Sequence, residues 1–220
     1  MTFGGGSVSL LLDYPSLNAL GQLAFRVNLG ARRAPTTPAI YSDHLGSLQP
    51  VAKVGDHAPG TGGQWTTLHW PRLSDGGHVA FLASIQEGSY PRHGVFWDQP
   101  GTVMPVLLPG DSIPDRPGLT LFEARQIVGF TAGVYLVFRA FLDVPSAAAL
   151  PALVAAAPDG TVRTLVAAGD TVDVAPGGGD PRQVATVGPG EVAENGTLAL
   201  RLGFADGSSG VFTLVLPGLG

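Results

Sequence analysis

Short runs rich in Val, Leu, Ile, Phe and Ala recur along the chain, with partial apolar/polar alternation and Gly, Asp, Asn or Pro between them. That pattern predicts short β-strands joined by tight turns. Four kinds of run recur. Run A covers 21–28, 77–83, 133–140 and 196–202, each opening on Gly. Run B covers 39–42, 94–97, 152–155 and 210–216, and run C covers 48–54, 103–108 and 162–167. Run D, the weakest, covers 64–70, 119–128 and 183–187, and residues 7–12 have the same character at the start of the chain. Ser146–Ala157 is Ala-rich, but Pro145 and Pro151 predict a loop and then a strand.

The turns repeat as well. Gly46, Gly101 and Gly160 follow run B, and each stands ten residues before the Asp of a Gly-Asp pair: Gly55-Asp56, Gly110-Asp111 and Gly169-Asp170. The pairs are spaced by 55 and 59 residues, a period in the range of propeller or solenoid repeats. Written in the order D-A-B-C, the chain reads as one repeat domain, 1–220, with units at 7–56, 64–111, 119–170 and 183–220. The predicted fold is all-β and β-propeller-like, with about four blades of four-stranded antiparallel meanders and an incomplete last blade. A β-sandwich is the alternative. Sequential blades require the first D run to pair with its own A run; otherwise it completes the last blade.

Composition narrows the functional classes. The chain has 32 Gly and 19 Pro in 220 residues, but 45% of its residues are hydrophobic, so the Gly and Pro punctuate buried elements and do not mark disorder. Only 13% are charged and the net charge is -5. With no basic stripe to neutralise phosphates, nucleic acid and anionic membrane surfaces are not expected partners. The absence of Cys excludes thiol catalysis, Cys-ligated zinc and disulfides. Residues 1–6 carry no Lys or Arg and the run Val8–Leu12 is short, which is not the pattern of a signal peptide. No apolar run is long enough to span a membrane.

Val51-Ala-Lys-Val-Gly-Asp-His-Ala-Pro-Gly60, Trp70-Pro-Arg-Leu-Ser-Asp-Gly-Gly-His-Val-Ala-Phe81 and Tyr14-Pro-Ser-Leu-Asn-Ala-Leu-Gly-Gln-Leu-Ala-Phe25 share a texture. It resembles that of bacterial tandem-repeat proteins of the PEP-CTERM or "choice-of-anchor" type, whose repeats read roughly V-A-x-x-G-D-x-A-P-G … P-S-L-N-x-x-G-x-V-A-F. The match is good in the first repeat, partial at Gly110-Asp-Ser-Ile-Pro114 and degraded in the third. The resemblance implies a propeller-like repeat and export. It supplies no catalytic residue, and this chain has no sorting tail.

Candidate chemistry is sparse. Asp56, Asp111 and Asp170 could ring a cation, but a residue present in every repeat reads first as a turn former. His57, His69 and His78 could converge, yet no spacing forces it, and His44 and His93 complete a set that reads as scattered surface histidines. Trp65, Trp70 and Trp97, with Tyr90, are packing residues or, if exposed, sugar-stacking platforms. Trp65 and Trp70 flank a Gly-rich loop at 59–63 and are the better candidates. Asn195-Gly-Thr197 matches a glycosylation sequon but reads as the turn into run A. Acids such as Glu87, Asp115, Glu123 and Glu194 are dispersed, and no G-x-S-x-G elbow or phosphate loop occurs.

The expected function is a non-catalytic binding or scaffold module in an exported setting, with a carbohydrate or protein ligand and no metal or cofactor. The ligand-binding candidates are Asp56, His57, Trp65, His69 and Trp70. Two further classes remain: a carbohydrate-active hydrolase or lyase using loop carboxylates, and a structural repeat that oligomerises through an open blade edge.

Overall fold

A computed structural model describes residues 2–3, 6–30, 35–86, 92–131, 135–175, 177–193 and 195–215. Gly133, Tyr90, Glu87, Glu194 and 216–220, all noted in the sequence, lie outside them. The described residues form strands, turns and loops, with no helix.

The strands make four antiparallel meanders. The first orders β1 (Thr2–Phe3), β2 (Gly6–Leu17), β3 (Leu23–Leu29), β4 (Thr37–Ser42) and β5 (Gln49–Lys53). The second holds β6 (Trp65–Leu68), β7 (Arg72–Leu73), β8 (Val79–Ile85), β9 (His93–Gln99) and β10 (Thr102–Leu107). Here β6 and β7 both pair with β8: Pro71, which has no N–H to donate, separates them. The third holds β11 (Thr120–Phe130), β12 (Leu136–Asp143), β13 (Leu150–Ala156) and β14 (Val162–Ala167). The fourth holds β15 (Thr171–Asp173), β16 (Pro181–Val192), β17 (Thr197–Phe204) and β18 (Ser209–Val215).

Runs D, A, B and C fall in these meanders in the predicted order, while β1, β7 and β15 have no counterpart among the predicted runs. The first D run, β2, pairs with its own A run, β3, so the blades are sequential. The fourth sheet has four strands for a reason the run pattern did not show. β15 pairs with the start of β16, at the place where isolated bridges join His57 to Gln64 and Ser112 to Thr120 in the earlier repeats. It is that same short hairpin, enlarged. Among the described residues no strand corresponding to β5, β10 or β14 flanks β18.

The Gly-Asp pair couples each repeat to the next. Gly55 donates its N–H to the carbonyl of Trp65 (2.9 Å), and Trp65 donates back to the carbonyl of Asp56 (3.1 Å). Gly110 and Asp111 make the same pair of bonds with Leu121, and Gly169 and Asp170 with Val184, all at 2.8 Å. The three glycines have φ of 92°, 95° and 94°, where a side chain would be strained. The recurrence is therefore a backbone latch from the end of run C to the start of the next run D.

The chain separates into two compact units, Met1–Leu108 and Pro109–Gly220. In the first, Ala24, Ile40 and Ala52 of one sheet pack against Trp65, Leu68, Val79, Phe81 and Phe96 of the other. In the second, Val137, Leu153 and Val166 pack against Val184, Leu198, Leu200 and Phe204. Central strands such as β8 are buried on both faces and read as continuous apolar runs. By contrast β18, an edge strand among the described residues, alternates exposed and half-buried positions. As the prolines predict, 144–149 is a loop and a strand follows it. Asn195 forms the expected turn, its Oδ1 accepting the N–H of Thr197 (3.0 Å).

Candidate functional site

Two side-chain constellations in the first unit can carry chemistry. One lies at the run B–run C turns. His44 Nε2 meets Asp98 Oδ2 at 2.9 Å, with side-chain exposures of 1% and 4%. The turns containing them align on Gly46 and Gly101, so a His of one repeat reaches the Asp of the next. Burial pushes the Asp98 carboxyl above its usual range; His44 and the N–H groups of Thr102 and Gly101 oppose that. His78 lies close by, with its ring 5.5 Å from that of Trp97. Burial lowers its pKa, with Asp98 opposing. A cavity of about 140 Å³ lined by His44, Gln49, Asp98 and Val103 opens beside the pair. Small-molecule pockets run to roughly 300 Å³ and more, so this one is too small for a sugar.

The surroundings of the pair are structural. Asn18 Nδ2 donates to the carbonyl of Ser74 (3.0 Å), and Asn18 Oδ1 accepts the N–H of Gln22 (2.9 Å). Gln22 Nε2 donates to the carbonyl of His44 (2.9 Å), and Leu73 N–H donates to Ser16 Oγ (2.9 Å). Asn18 to Ser74 and Leu73 to Ser16 stitch the first sheet to the second, and the His44–Asp98 contact continues the seam.

The seam makes stability depend on pH. A folded His78 pKa below 6.5 means that the unfolded chain binds the proton more readily. The contribution of His78 is therefore present above about pH 6.5 and is lost as pH falls below it. Asp98 has the opposite sign: its raised pKa favours the folded state in acid, and that contribution is lost as pH rises through the raised value. Between about pH 7 and 5.5, lowering the pH should destabilise the parent protein more than it destabilises His78→Gln. Parallel curves for the two proteins would refute this assignment.

The second constellation is on the surface. His69 follows β6 and is held by its N–H to the carbonyl of Leu82 (2.8 Å). His93 opens β9 opposite Ser84. Their side chains meet beside β8, Nε2 to Nε2 at 2.7 Å, with ring centroids 4.3 Å apart. The ring of Trp70 stands 6.2 Å from that of His69, nearly perpendicular to it, and Trp70 is 55% exposed. Pro71 turns inward while Trp70 and Arg72 face out. An aromatic face is thus presented to solvent on a stiff Trp-Pro segment.

The structure brings together only two of the five residues singled out from sequence, His69 and Trp70. Asp56 and His57 are exposed on the latch turn. Trp65 is core: it packs edge-on against Phe81 (6.0 Å) and Phe96 (5.9 Å) and is 4% exposed. Its proposed ligand role gives way to packing, because it opens β6 on the face turned to the first sheet. The histidines are not a scattered surface set either, since His44 is buried and His69 pairs with His93. Within each unit, no three His, Asp or Glu among the described residues converge as a metal site. Of the carboxyls with a clear shift, Asp98 alone is pushed up. Asp159, Asp173 and Asp206 are held down mainly by turn hydrogen bonds. No helix among the described residues is long and apolar enough to cross a membrane.

No curated protein matches the chain. Among solved structures, the endo-arabinase from Bacteroides thetaiotaomicron VPI-5482 is similar at 12% identity and a TM-score of 0.40, over 100% of this chain and 80% of that one. A family model matches residues 4–217, and by that match the chain belongs to a family of unknown function, DUF7453.

Proposed function

We propose that the chain is a non-catalytic binding module for carbohydrate, acting in an exported setting, with Trp70 as its stacking platform. The observation that carries this reading is the exposure of Trp70 (55%) on a rigid support, beside a His pair that can hydrogen-bond to hydroxyls. Large aromatics are ordinarily buried for the area they contribute; one left outside, with an apolar face and a fixed orientation, suits the C–H face of a sugar ring. The reading is tested on a glycan array followed by calorimetry. Trp70→Ala should lose at least about tenfold in affinity, about 1.4 kcal/mol, with its melting temperature unchanged. Silence across the array, or undiminished binding by the variant, would remove the proposal.

A second reading rests on a different observation. β18 leaves Val211 and Val215 76% and 69% exposed and lies at the edge of its sheet among the described residues, and an open strand edge templates pairing with another chain. Self-association through this edge predicts a concentration-dependent mass by light scattering that Val211→Lys abolishes. A strict monomer at high concentration would exclude it.

A further inference from the structure

We infer that His69 and His93 form a binding site for a divalent transition-metal cation of the Zn²⁺, Ni²⁺ or Cu²⁺ class. Their Nε2 atoms stand 2.7 Å apart, supplied by segments that flank β8 from opposite sides. A contact this short holds one proton between two nitrogens: one ring donates and the other accepts. Two imidazolium rings this close would repel, so the contact requires at least one ring to be neutral. A cation takes the place of the shared proton when both rings carry their remaining proton on Nδ1.

The adjustment required is small. Zinc binds imidazole nitrogen at about 2.0–2.1 Å, which at a tetrahedral angle separates two ligands by roughly 3.3 Å. Opening the contact by about 0.6 Å needs only modest side-chain rotation, since both backbones are fixed by the sheet. Imidazole donors suit Zn, Cu and Ni; Ca²⁺ and Mg²⁺ require oxygen. The two imidazoles supply two positions of the coordination sphere and leave the others open to further ligands. These open beside Trp70, whose ring is 6.2 Å from that of His69.

The site is tested by titrating the full chain with ZnCl₂ by calorimetry and with CuSO₄ by tryptophan fluorescence. One cation per chain is expected. Affinity should drop at least about tenfold in His69→Gln and in His93→Gln, and stay unchanged in His57→Gln. Trp70→Phe leaves both histidines intact and should keep Zn²⁺ binding. No heat up to millimolar Zn²⁺ would overturn the inference. So would Zn²⁺ affinity that survives in a folded His69→Gln.

Discussion

Replacing Trp65 with Ala destabilises the first unit by about 3–5 kcal/mol, the range for truncating a large buried aromatic. Trp65 is 4% exposed and fills the space between the two sheets, edge-on to both Phe81 and Phe96, which stack on each other at 5.8 Å. Its removal costs the transfer energy of the ring and leaves a cavity that three rigid strands cannot close. Its backbone also closes the first Gly-Asp latch, so a shift there strains the connection between repeats. Trp70→Ala, five positions along, should change stability by no more than about 0.5 kcal/mol, as is usual for a surface position. Urea unfolding compares the two; equal losses would mean that core and surface have been assigned wrongly.

The second large effect is at the seam. Asp98→Ala leaves His44 buried without its hydrogen-bonding partner and frees the N–H groups of Gly101 and Thr102. Removing one partner of a buried pair typically costs about 3–5 kcal/mol. Asp98→Asn should lose less, because its carbonyl oxygen still accepts from the turn. The double variant His44→Ala, Asp98→Ala should be less destabilised than the sum of the single variants, because the cost lies in an unpaired group. Strict additivity would show that the contact carries no energy.

The architecture was largely legible in the chain. Turn glycines and apolar runs locate the strands because every repeat solves the same problem, closing tight turns and covering a sheet. β15 was missed because it enlarges a hairpin that is only a single bridge elsewhere, and nothing in Thr171-Val-Asp173 separates the two cases. Run D was read to end at Trp70, and the short strand after Pro71, β7, was missed. The site was legible in part. His69 and Trp70 stand out by type, but the pairing of His69 with His93 depends on how both flanking strands register on β8, which composition does not encode. The His44–Asp98 contact had a usable signal: aligning the turns on Gly46 and Gly101 places Asp98 at the repeat position of Asp43. Leu23 N–H binds the Asp43 carboxylate at 2.6 Å, whereas Asp98 turns to His44. Trp65 and Trp70 look alike in sequence, and only the face of the strand separates them.

The recurring Gly-Asp pairs therefore serve the fold, and the proposed binding surface is built from residues that one repeat alone carries. The most direct test is calorimetry with one carbohydrate ligand on two variants side by side, Trp70→Ala and Asp56→Asn. The account predicts that Trp70→Ala loses binding while Asp56→Asn binds as the parent does. Loss of binding in Asp56→Asn, with Trp70→Ala unaffected, would contradict it.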